Sequence, residues 1–139
     1  MMREFIVIRH GADFWANIKL SELPEISMEK WRKLIKLMNW YENHESVLEL
    51  HRWFPSGIKA AKELIPKREA IYKTAKGELK LFKRDSPEYE AQKSRINSLL
   101  HDVKTAERRH KGLVRMQKVF EETPHIQEII SYYTPDGEE

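Results

Sequence analysis

Cysteine is absent from this 139-residue sequence. Disulfides, thiolate metal sites and cysteine nucleophiles are therefore excluded. Glycine occurs only 5 times, and no spacing among them makes a loop that could cradle a phosphate. No segment approaches 18 consecutive apolar residues, so no transmembrane helix is expected. The first residues lack a basic segment followed by a long apolar run and a cleavage site, so no signal peptide is expected. A cytoplasmic protein without membrane contact is the default expectation. Lys and Arg are missing altogether after residue 118.

What is present is unevenly placed. Residues 1–58 carry 8 Lys/Arg and 8 Asp/Glu, a balance of zero. Residues 59–118 carry 17 Lys/Arg against 8 Asp/Glu, a balance of +9. Residues 119–139 carry 6 Asp/Glu and no Lys or Arg, a balance of −6. The net +3 of the whole chain hides this partition. Charge asymmetry between segments bears on partners rather than on fold. Charged residues make up 34% and hydrophobic ones 40%, which favours long helices with solvated faces over a thick core. The 4 Trp and 5 Phe argue against disorder.

The length suits a single domain. Three parts are expected within it: a small α/β-like N-terminal part over 1–55, a basic helical hairpin over 56–122, and an acidic C-terminal tail over 123–139. Glu4 to Arg9 is β-branched, short and followed by Gly11, and reads as a strand. Asn17 to Leu20 is its nearest partner for a hairpin, which would need a helix against it. Ser27 reads as an N-cap with Glu29 in the first turn. Trp31, Leu34, Ile35, Met38 and Tyr41 follow on one helical face. A second helical stretch runs through Val47, Leu50 and Phe54, and Pro55-Ser56-Gly57 is expected to stop it. A short helix over 58–64 would end at Pro66, which suits the first turn of a new helix.

From Ile65 onward, Ile65, Tyr72 and Leu79 recur every seven residues, with Ala75 and Phe82 between them and Arg68 as the one defect. Ser86-Pro87-Glu88 is a strong helix start, and nothing opposes that helix before Glu122 except Gly112, which costs about 1 kcal/mol in a helix interior. Its seam reads Ile96, Val103, His110 and Gln117 with Leu99, Ala106, Leu113 and Phe120, a period of 3.5. Two such segments joined by Lys83-Arg84-Asp85 predict a long antiparallel coiled-coil-like hairpin. A last short helix is expected over 125–133. The fold class is mainly α, with a short N-terminal strand or β-hairpin.

Cations lie opposite the seams. Lys104, Arg108, Lys111, Arg115 and Lys118 recur at spacings of 4, 3, 4 and 3. Lys73, Lys76, Lys80 and Lys83 recur at 3, 4 and 3, with Arg84 beside them. Like charges at these spacings repel by a few tenths of a kcal/mol per pair, and a basic face of this kind is what phosphate contact requires. The competing reading is an ordinary solvated face. The expectation taken forward is a non-catalytic module that meets nucleic acid, or a protein–nucleic-acid complex, through these ten residues. The alternative is an assembly protein, a small subunit or an inhibitor of a larger machine. It would act through its seam as a homo-oligomer, or through its charged faces on an acidic protein surface. Glu121, Glu122, Glu128, Asp136, Glu138 and Glu139 form either a solvated tail or one that folds back on the stripes.

Catalytic and metal constellations are poor. Ile6-Val7-Ile8-Arg9-His10-Gly11 resembles the opening of the histidine phosphatase (phosphoglycerate-mutase-like) family, in which a strand ends in Arg-His-Gly. The resemblance implies that His10 would take a phosphoryl group beside Arg9. It covers six to eight residues. Ala12 stands where an acidic or amide residue is usual, and no later strand ends in a second His. Glu107 and His110 have di-iron bundle spacing, but His110 falls on the seam, where it reads as a register-setting core residue. His44 and His51 lack a third convergent ligand. No metal, cofactor or small-molecule substrate is expected. Trp31, Trp40, Trp53 and Phe54 read as core aromatics, with base stacking as the alternative.

Overall fold

The computed structural model describes residues 4–10, 14–38 and 43–133, with His10, Phe14 and Trp15 described by backbone alone. The chain is mainly helical behind a two-stranded antiparallel sheet. Strands β1 (Phe5–His10) and β2 (Phe14–Lys19) precede a 3-10 turn over Leu20–Glu25. Helices α1 (Met28–Leu37), α2 (His44–Glu78), α3 (Pro87–Glu122) and α4 (Pro124–Tyr133) follow. Two compact units result. One comprises Met1–Ile58 and Gly112–Glu139; the other is Lys59–Lys111.

In the first unit the β-hairpin registers Ile6 on Ile18 and Ile8 on Ala16. The period of two turns Ile6, Ile8 and Ile18 inward and leaves Phe5 and Val7 exposed. The outer edge of β1 is held by the start of α2. Asn43 accepts from the Arg9 N–H and donates to the Arg9 and Leu37 carbonyls, at 2.6–2.8 Å. The Ser46 hydroxyl donates to the Val7 carbonyl. The buried Asn43 amide thus replaces the neighbouring strand that β1 lacks on that side.

Helix α1 starts as its sequence dictates, with the Ser27 hydroxyl accepting from the Lys30 N–H at 3.2 Å. Its buried face is Trp31, Leu34 and Ile35, continued by Met38; Tyr41 lies outside the described residues. Val47, Leu50 and Phe54 from α2, Leu113, Met116 and Phe120 from α3, and Ile126 and Ile129 from α4 complete the core. Trp31, Phe54 and Phe120 meet at ring-centroid distances of 5.6–6.1 Å, offset and edge-on as ring quadrupoles favour. The Trp31 indole N–H donates to the Met116 carbonyl at 3.1 Å, so its one polar atom is satisfied inside the core. The His125 ring lies 3.0 Å from the Ile35 carbonyl, where its Nε2–H donates. Pro124 occupies the first helical position of α4, where its missing N–H costs nothing.

One expectation is overturned. Pro55-Ser56-Gly57 does not stop a helix, and Pro66 neither ends one nor starts another; α2 is continuous through all four. Each proline removes one backbone hydrogen bond, and both are exposed, so the freed carbonyls can turn to water. Apolar residues keep their helical spacing across both sites, and their burial outweighs the breaks. Gly57 acts as a seat rather than a breaker: a Cβ there would meet the Trp53 ring at 2.6 Å.

The second unit is a hairpin of two long helical segments. Buried Ala75 in α2 and Gln92, Val103 and Ala106 in α3 mark its seam. Ile65, Tyr72, Leu79, Phe82, Tyr89, Ile96, Leu99 and His110 are half-buried along it. Two polar seam residues tie the helices together. The Gln92 amide donates to the Ala75 carbonyl at 2.8 Å, and the Arg68 guanidinium donates to the Asp102 carbonyl at 3.0 Å. The expected defect at Arg68 is therefore a cross-helix tie.

At the tip, α2 tightens into a 3-10 turn over Leu79–Leu81. Asp85 takes the left-handed conformation at φ 66°, which Asp tolerates better than most residues. Ser86 then accepts from the Tyr89 N–H at 3.1 Å and donates to the Lys83 carbonyl at 2.6 Å.

Candidate nucleic-acid interface

The burial pattern of the hairpin fits one heptad frame. Ile65 and Tyr72 take position a on α2, with Arg68 and Ala75 at d, and Leu79 and Phe82 continue the seam into the tip. Tyr89, Ile96, Val103 and His110 take a on α3, with Gln92, Leu99 and Ala106 at d. All of these are buried or half-buried, and most of the remaining positions are exposed. Around a helix, d adjoins g and c on one side, while a adjoins e and b on the other. The ties from Gln92 to Ala75 and from Arg68 to Asp102 join d with d and d with g. The c/g sides of the two helices therefore share one flank of the hairpin, and the b/e sides share the opposite flank.

This frame sorts the charges. The b/e flank carries Lys59, Lys62, Lys73 and Lys76 from α2 and Lys80 from the 3-10 turn that continues it. From α3 it carries Lys93, Lys104 and Lys111. All eight are exposed. Only Glu69, Glu90 and Glu107 oppose them, leaving the flank at +5. The c/g flank carries Lys67, Arg95 and Arg109 against Glu78, Glu88 and Asp102, a balance of zero. The exposed apolar residues of the unit lie there, with Ile71 at 50% and Leu81 at 73% accessible.

Of the ten cations expected from sequence, Lys73, Lys76, Lys80, Lys104 and Lys111 lie on the lysine flank. Arg108 sits at the outermost position f of α3, and Lys83 and Arg84 lie in the tip turn, all three exposed. Arg115 and Lys118 continue the helical spacing on α3 and are exposed, but they belong to the other unit. Lys59, Lys62 and Lys93 were not among the expected residues. Extending the same heptad letters back from Ile65 and onto Tyr89 would have found them.

Two aromatic rings edge this flank from the seam. The Lys76 ammonium lies 5.8 Å from the Tyr72 ring centroid, and the Lys93 ammonium lies 5.8 Å from that of Tyr89. Each is an a-to-e contact one helical turn long, within cation–π range. The two contacts sit on the side that the frame assigns to the lysines.

The remaining candidates do not converge. Among the described residues no three His, Asp or Glu side chains gather as a metal site would require. Glu107 is exposed, while His110 is half-buried on the seam. His51 lies 3.4 Å from Glu121, and His44 stacks on Tyr133 at 4.3 Å, both within the first unit. Trp31 and Phe54 are fully buried core, and Trp53 is half-buried with its edge against Phe54. Trp40 lies outside the described residues. So do the side chain of His10, Gly11 and Ala12 of the phosphatase-like opening, and Asp136, Glu138 and Glu139 of the acidic tail.

Among the described residues no helix is long and apolar enough to cross a membrane. No family model matches this chain, and no curated protein or solved structure matches it significantly.

Proposed function

We propose that this protein is a non-catalytic binding module whose helical hairpin contacts nucleic-acid phosphates through its lysine flank. The observation that carries the reading is the sorting of charge, with +5 on one flank and zero on the other. Solubility alone asks for charge of mixed sign on every exposed face. A flank of eight lysines instead carries a repulsion of a few tenths of a kcal/mol for each pair one turn apart. That repulsion is relieved when phosphates replace the counterions the flank otherwise collects. Lysine is suited to this as a flexible point charge, and contact with a backbone requires no base-reading motif.

The test is fluorescence anisotropy of a labelled duplex over a salt series. With about five lysines engaged, the log–log slope of affinity against salt is about −4. Absence of binding at about 50 mM salt overturns the reading.

A second reading has one observation in its favour. Ile71 and Leu81 are exposed on the neutral flank, where a protein partner or a second copy would meet neither a lysine row nor a net charge. A light-scattering mass of one chain, 16.7 kDa, together with no protein retained by the immobilised chain after nuclease treatment, would remove it.

A further inference from the structure

The lysine flank also carries information about which form of nucleic acid it fits. We infer that its ligand is a duplex, bound through the phosphates of both strands, rather than a single strand. The inference rests on the function proposed above and narrows it.

Three features of the flank support this. The first is its two-row layout. Four lysines lie along α2 with a fifth on the 3-10 turn that continues it, and three lie along α3, on helices whose axes in such a pair run about 8–10 Å apart. A single backbone can follow one row, whereas a duplex presents two backbones. From Lys59 to Lys76 the rise is about 26 Å at 1.5 Å per residue, about three quarters of the roughly 34–36 Å of one duplex turn.

The second feature is the state of the aromatic rings. Binding of single strands draws on bases stacked against open aromatic faces. Tyr72, Phe82 and Tyr89 are the aromatic residues of the unit, and all three are half-buried in the seam. The Tyr72 and Tyr89 rings that edge this flank already carry the Lys76 and Lys93 ammonium groups at 5.8 Å. A base could stack there only by displacing a lysine from the same flank, losing a phosphate contact to gain a stacking one.

The third is the cation itself. All eight are lysine and none is arginine. A guanidinium plane stacks on bases and forks onto their edges, but an ammonium does neither. A flank built this way responds to charge density. A duplex offers one charge per about 1.7 Å of axis, against one per about 3.4 Å for each strand.

The experiment compares a mixed-sequence 20-base-pair duplex with its two separated strands. The full chain is titrated with each probe by anisotropy, at equal phosphate concentration and from about 50 to 200 mM salt. The duplex is expected to bind at least tenfold more tightly than either strand, with the steeper salt slope. Lys76→Gln and Lys93→Gln, which uncover the two tyrosines, are expected to narrow that ratio by weakening duplex binding while strand binding holds or rises. Equal or tighter binding of the single strands overturns the duplex assignment but leaves the proposed function standing. Failure of all three probes at the lowest salt overturns both.

Discussion

The two units of this molecule use their residues differently. The first buries Trp31, Phe54 and Phe120 against one another, with Leu23, Met38, Leu50, Met116 and Ile126 fully enclosed around them. The second buries Ala75, Gln92, Val103 and Ala106 and leaves the rest of its seam half-exposed. A pair of helices has no second layer to cover it, so little of its surface can become core. The first unit therefore supplies depth of packing, and the second supplies exposed helix of ordered charge. The difference locates stability in one unit and the candidate surface in the other.

Substitutions can break or sharpen that contrast. The largest effect is expected in the aromatic cluster, where Phe54→Ala should cost about 3–5 kcal/mol in urea denaturation. The hairpin counterpart, Ile65→Ala, should cost about 1–2 kcal/mol, because Ile65 is only half-buried. Equal losses at the two sites would erase the contrast.

Asn43→Leu comes next, at about 2–3 kcal/mol, since it strands the Arg9 N–H and the Arg9 and Leu37 carbonyls. Hydrogen exchange at the Arg9 amide should rise in that variant more than exchange along α3.

The caps rank third. Ser27→Ala and Ser86→Ala should each cost about 1 kcal/mol, because the same bond to the third helical N–H is lost in both units. Asp85→Val at the tip should cost a similar ~1 kcal/mol, whereas Asp85→Gly should be nearly neutral at its φ of 66°. The smallest stability effect, under about 0.5 kcal/mol, is expected from reversing charges on the lysine flank, whose side chains are exposed.

The parts of this fold that were legible in the sequence are those with a local signal and a local cause. Ser86-Pro87-Glu88 marks the start of α3, and the seam from Ile96 to Phe120 carries it past Gly112 to Glu122. Ser27 caps α1, and its buried stripe follows the expected spacing. The continuity of α2 was not legible. Pro55, Gly57 and Pro66 are local breaking signals, and they are outweighed by apolar residues held in register on both sides.

The lysine flank was legible only in part. Its α2 row followed from spacing, but the sequence stripe on α3 mixed positions b and f. Which side of α3 adjoins which side of α2 depends on cross-helix ties such as Gln92 to Ala75. No single-helix periodicity contains that information, so the α3 stripe was expected at b and f rather than at b and e.

The most direct test of the account is a flank exchange at matched charge. Lys73→Glu with Lys104→Glu on the b/e flank is compared with Lys67→Glu and Arg95→Glu on the c/g flank, which makes the same change in net charge. Duplex affinity is measured for both over a salt series. The account predicts at least a tenfold loss for the b/e pair, with the salt slope shallower by about 2, and less than a threefold loss for the c/g pair. Equal losses from the two pairs would mean that overall charge, rather than the lysine flank, governs binding, and would contradict the account.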